Sequence, residues 1–115
     1  MNAHRSLQRV DVLHYPVDKI ALMIASEFLR AESRAQYPTI VQWCYHRARE
    51  LMGILETLPL ETEVALELSS IYGRCTEDQL MPASPLPSER IRAVSLELAA
   101  AFEKAAEHLK GFSHA

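Results

Sequence analysis

Four apolar stripes at helical spacing, separated by breaks that carry proline, constrain this chain more than any other feature. The first runs Val17–Ile20–Ile24–Phe28–Ala31–Ala35 and the second Val41–Cys44–Ala48–Leu51–Met52–Leu55. The third runs Val64–Leu68–Ile71–Tyr72–Cys75 and the fourth Ile91–Val94–Leu98–Phe102–Ala105–Leu109. Steps of three and four residues place each set on one face of an α-helix, because a turn takes about 3.6 residues. Low glycine and abundant Ala, Leu and Glu favour helix over strand. The expected fold is therefore all-α, an antiparallel four-helix bundle joined by short turns.

The breaks set the expected boundaries. Tyr15-Pro16 and Tyr37-Pro38 each place a proline where a first helical turn has no use for its N–H. Helices are expected over residues 16–35 and 38–57, the second ending before Pro59. A third is expected over 60–81, with Gly73 weakening its middle and Thr76 marking a bend. Pro82-Ala83-Ser84-Pro85-Leu86-Pro87 has three prolines in six residues and reads as a stiff connector. Ser88 is then the expected N-cap of the last helix, and Gly111 its expected C-terminal stop. Gly53 interrupts the second helix, where a small residue would admit a close neighbour. Residues 1–14 read as an N-terminal arm or short helix, with Leu7, Val10 and Leu13 on one face. Residues 15–115 read as the helical domain.

Composition narrows the class. Of the 115 residues 49% are hydrophobic, enough for one core, and the net charge of −3 argues against a protein held mainly by nucleic-acid phosphates. No apolar run approaches the ~20 residues a membrane-spanning helix needs, and no segment reads as a secretory signal. Cys44 and Cys75 fall on apolar stripes and read as buried thiols in a reducing compartment. The expected location is the cytoplasm.

Chemistry-bearing patterns are sparse. A carboxylate di-iron centre in a bundle needs Glu-x-x-His on two helices; the chain has none, and Glu107-His108 are adjacent. The five histidines form no His-x-x-x-His pair and no Cys/His ligand spacing. No metal, cofactor or catalytic residue is expected, and the chain reads as a non-enzyme. His46, Arg47 and Arg49, with Arg30 and Arg34, form the one basic stretch. They read as solvated faces pairing with Glu50 and Glu32; the alternative is a small RNA-binding or RNA-cleaving module using His46 and Arg47. Trp43 lies about 100° from Cys44 and widens the second helix's apolar surface together with Ile40 and Ile54. Leu22 and Leu29, Leu66, and Leu96, Ala99, Ala100 and Ala106 do the same elsewhere. Such surplus serves a crowded core, a homodimer, or a groove that receives a partner helix.

The order of segments resembles the flagellar secretion chaperones of the FliS family. Tyr15-Pro16 followed by the apolar helix Val17–Ile24 is similar to the start of the family's first helix. Glu63-Val64-Ala65-Leu66-Glu67-Leu68 leading to Ile71-Tyr72 is the better match, preceded by Ile54-Leu55-Glu56-Thr57-Leu58. The chain departs from the family pattern at Ser26, Pro82-Ala83 and Phe102. The resemblance, over roughly residues 15–110, implies a helical bundle with an apolar groove around which flagellin's disordered C-terminal segment folds. It points to a protein partner, and to Ile20, Ile24, Ile71 and Tyr72 as groove positions beside Trp43.

Overall fold

The computed structural model describes residue 12 and residues 14–110, and every described element is helical. Helix α1 spans Val17–Ser33, α2 Pro38–Glu56, α3 Thr62–Tyr72, α4 Glu77–Leu80 and α5 Ser88–Leu109. The expected arm falls mostly outside the described residues, as does Gly111. Val12 is buried at 2% exposure and its carbonyl accepts from Tyr15 N–H, turning the chain into α1.

Proline shapes the starts. Pro16 and Pro87 hold extended backbone immediately before α1 and α5, with φ −58° and −61°, and their carbonyls accept the first helical N–H groups. Ser88 therefore enters as the first helical residue rather than as the cap. Among the five described helices no N-cap side chain makes a capping hydrogen bond. End stability rests on tertiary packing and on acidic first-turn residues such as Glu63 and Glu89, which suit the helix dipole.

The expected third helix is broken. Gly73 caps α3, Arg74 and Cys75 N–H bond back to Ile71 and Tyr72 carbonyls, and Thr76 is extended before α4 begins. The turn that replaces a continuous helix carries Cys75 and Leu80 into the core, at 2% and 4% exposure. A straight helix could not bury both, since five residues turn a helix through about 500° and leave them some 140° apart.

Helix α1 is the central element and packs along α5 and α2, while α3 leans mainly on α5. Its buried face is the expected stripe: Val17, Ile20, Ile24, Phe28 and Ala31 are all at 1% exposure or less. Phe28 stacks on Phe102 of α5 with ring centroids 6.0 Å apart and meets Tyr45 of α2 at 5.6 Å. One polar contact lies deep in this core, between Tyr45 Oη and Ser95 Oγ at 2.6 Å. Ion pairs close the outside: Arg47–Glu27 at 3.5 Å, Arg74–Glu97 at 3.0 Å and His108–Glu67 at 2.7 Å.

Gly53 admits no close neighbour, contrary to the expectation. It is exposed, and a Cβ built there meets nothing within 4 Å. Gly53→Ala is expected to raise stability by about 0.5–1 kcal/mol, because it removes backbone freedom from the unfolded chain at no steric cost. Urea unfolding of the two proteins measures the difference; a lower midpoint for the alanine variant would refute this account.

Candidate functional site

The site grows out of the α2–α3 connection. Helix α2 ends at Glu56, where Thr57 N–H and its hydroxyl both donate to the Ile54 carbonyl, at 3.1 and 2.7 Å. The chain then passes through Leu58, Pro59 and Leu60 before α3 starts. Leu58 and Leu60 are only partly buried, because a connection this short must stay at the surface to satisfy its backbone. Between the connection and α3 lies a groove of about 200 Å³. Leu55, Leu58, Leu60 and Leu68 make its apolar walls, and Glu56, Ala65, Ser69 and Tyr72 complete it.

Tyr72 sits at the base of this groove. Its ring leans on Phe102 with centroids 6.2 Å apart. Its hydroxyl is buried and has no hydrogen-bond partner. Burial pushes the phenol well above its ordinary value, and the neighbouring Glu56 carboxylate adds to the shift. The phenol is therefore a neutral donor. Leu66, next to Ala65 on the solvent side of α3, is 66% exposed, the most open large apolar side chain among the described residues.

A second groove, of about 100 Å³, lies at the start of α2 and α5. Val41 and Ile91 form its floor, and the proline connector with Leu80, Met81 and Leu86 forms its wall. No charged residue lines it.

The five positions expected to face a partner separate in the structure. Ile20 and Ile24 are fully buried at 0% exposure, and Ile71 is buried at 7%. All three are spent on the core. Trp43 is half-buried on α2, and Tyr72 alone lines the groove between α2 and α3. Leu58 and Leu60 were not singled out by periodicity, since they belong to no helical stripe. Their signal is the alternation Leu58-Pro59-Leu60 in a turn, where an isolated aliphatic has no hidden face to occupy.

Part of the basic stretch is engaged, with Glu50 and with Glu27 rather than Glu32. His46 Nε2 lies 3.3 Å from Glu50, and Arg47 Nε 3.5 Å from Glu27. Among the described residues no three His, Cys, Asp or Glu side chains are arranged to hold a metal ion. No described helix is long and apolar enough to cross a membrane.

Both thiols are free and buried. Burial pushes Cys44 up to about 11, with the Glu27 carboxylate adding to it, and burial pushes Cys75 up to about 11. Below pH 9 folded and unfolded chains both hold these protons and the thiols leave stability unchanged. Between about 9 and 11 only the unfolded chain releases them, so stability falls as pH rises through that window. Thiol titration at pH 8 is expected to be slow in the native protein and immediate in denaturant. Fast native labelling would show that the helices open readily.

Comparison with protein-family models, with curated proteins and with solved structures finds no match to this chain.

Proposed function

We propose that the chain is a non-enzymatic protein-binding module whose groove between α2 and α3 holds an unfolded or helical segment of another protein, in the manner of the flagellin export chaperones it resembles. In this reading the helices form an antiparallel four-helix bundle. The pairings Phe28–Tyr45 and Glu27–Arg47, and Glu67–His108, Tyr72–Phe102 and Arg74–Glu97, support it, since each set runs in opposite order along its two helices. The observation that carries the function is the open aliphatic groove lined by Tyr72, the one expected partner-facing residue that reaches a groove. Apolar burial there drives association, and the ordering cost of the guest moderates affinity.

Flagellin's C-terminal segment as guest follows from the resemblance alone, and a cytoplasmic location is in keeping with the two free thiols. The direct test is a titration with that segment, from the flagellin of the same cell, followed by circular dichroism. A gain of helix saturating at one guest per chain supports the proposal; no change at high micromolar concentration excludes flagellin as the partner.

A further inference from the structure

We infer that the outer face shared by α1 and α5 is a contact between two copies of this chain. Helices α2 and α3 take no part in it. The groove between them stays open to a guest, so this inference stands apart from the reading above.

Three of the four exposed leucines among the described residues belong to this one face. Leu22 and Leu29 of α1 are 37% and 41% exposed, and Leu96 of α5 is 54% exposed. Seven residues separate Leu22 from Leu29, which puts both on one side of α1. That side is turned about 140–160° from Glu27, whose carboxylate reaches Arg47 of α2. Leu96 is turned about 100–120° from Glu97 and His108, which pair with Arg74 and Glu67 on the α3 side. Helices α1 and α5 pack along each other, so the three leucines flank their common seam. Phe28 stacks on Phe102, while Ala35 and Ile91 line one groove, so numbers rise along α1 as they fall along α5. Leu29 therefore stands level with Leu96, and Ser26 with Ala100, both of these small residues exposed.

The occupant follows from this arrangement. A two-fold axis along the helices lays α1 of each copy on α5 of the other, at the same level. Leu29 then meets the partner's Leu96. Ser26 meets the partner's Ala100, small against small, which lets the backbones approach. Charge agrees with the same axis. Lys19 lies one turn before Leu22, and Glu103 lies level with Leu22 on α5. Both are exposed, and neither makes an ion pair among the described residues. The two-fold sets Lys19 within a turn of the partner's Glu103 and repeats the pair on the other side. Size agrees as well. Seventeen residues of α1 make a face about 26 Å long, and two helices make it about 20 Å wide. Roughly 500 Å² is then covered on each copy, and the total of about 1,000 Å² is where specific interfaces begin.

Sedimentation equilibrium of the full chain from about 1 to 200 µM tests the inference, with circular dichroism confirming that each variant is folded. The wild type is expected to dimerise with a micromolar dissociation constant. Leu29→Lys and Leu96→Lys, both at exposed positions, are each expected to weaken the dimer about a hundredfold, because the two-fold counts every substitution twice. Lys19→Glu and Glu103→Lys are each expected to weaken it roughly tenfold, and the two together to return it close to wild type. A wild type that stays monomeric at about 200 µM overturns the proposal. So does a dimer that survives both lysine substitutions in the leucines, which places the contact elsewhere. Losses from the two charge reversals that do not recover when they are combined overturn the pairing of α1 with the partner's α5.

Discussion

Phe28→Ala is expected to destabilise the protein by about 3–5 kcal/mol, a large part of the ~5–15 kcal/mol that holds an ordinary domain folded. Phe28 is fully buried on α1 and touches the rings of both Tyr45 on α2 and Phe102 on α5. Its removal leaves a void where α1, α2 and α5 meet through aromatic side chains. Cavity and lost transfer energy add, because rings held by separate helices cannot all collapse inward. Urea unfolding should show the midpoint falling sharply with the slope unchanged. Phe28→Leu, which keeps most of the volume, should cost roughly 1–2 kcal/mol. A loss below about 1 kcal/mol for the alanine variant would mean that this contact does not organise the core.

The second large effect lies at the Tyr45–Ser95 hydrogen bond, 2.6 Å long and sealed between residues at 1% and 0% exposure. Ser95→Ala strands the phenolic hydroxyl among apolar groups and is expected to cost about 1–3 kcal/mol. Tyr45→Phe is expected to cost less, about 1 kcal/mol, because a helical serine can turn its hydroxyl to the carbonyl four residues back. The double variant should lie close to wild type, since neither polar group then remains buried alone. A double-mutant cycle measures this directly. Additive losses would show that the two hydroxyls contribute independently. The bond's second effect is on register: it requires one rotation of α2 against α5, which interchangeable aliphatic contacts do not.

Helix identity was legible because it depends on local spacing. The stripes beginning at Val17, Val41 and Ile91 are buried largely as their periodicity demands, and the prolines at 16, 38 and 87 stand at or beside the starts of α1, α2 and α5. The break in the third helix was legible only as weak points at Gly73 and Thr76. Periodicity carries on through residue 75, so the pattern alone favours one helix. The gain from burying both Cys75 and Leu80 is a tertiary term, invisible to a window on the sequence.

The candidate site was legible in one residue of five. An apolar residue at helical spacing has the same signature whether it meets its own core or a guest, which is why Ile20, Ile24 and Ile71 were indistinguishable from Tyr72 beforehand. The surplus apolar positions divide in the same way. Leu22, Leu29, Leu66 and Leu96 stand at 37%, 41%, 66% and 54% exposure, whereas Ala99 and Ala106 are buried at 0% and 4%. Ala99 and Ala106 sit where α5 is packed against its neighbours, whereas Ala100 on the same helix is exposed.

The amino-acid order by itself determined that this chain is helical, where three of its long helices begin and which face of each is apolar. These are properties of backbone sterics and of a 3.6-residue turn, and they act over a few residues. Only the tertiary structure decided which apolar faces are consumed by one another and which remain as a groove, that Tyr72 keeps an unmet hydroxyl there, and that Glu56 is the one carboxylate on its lining. Those outcomes depend on residues far apart in the chain coming together, and burial is a property of the assembled surface, not of any segment alone.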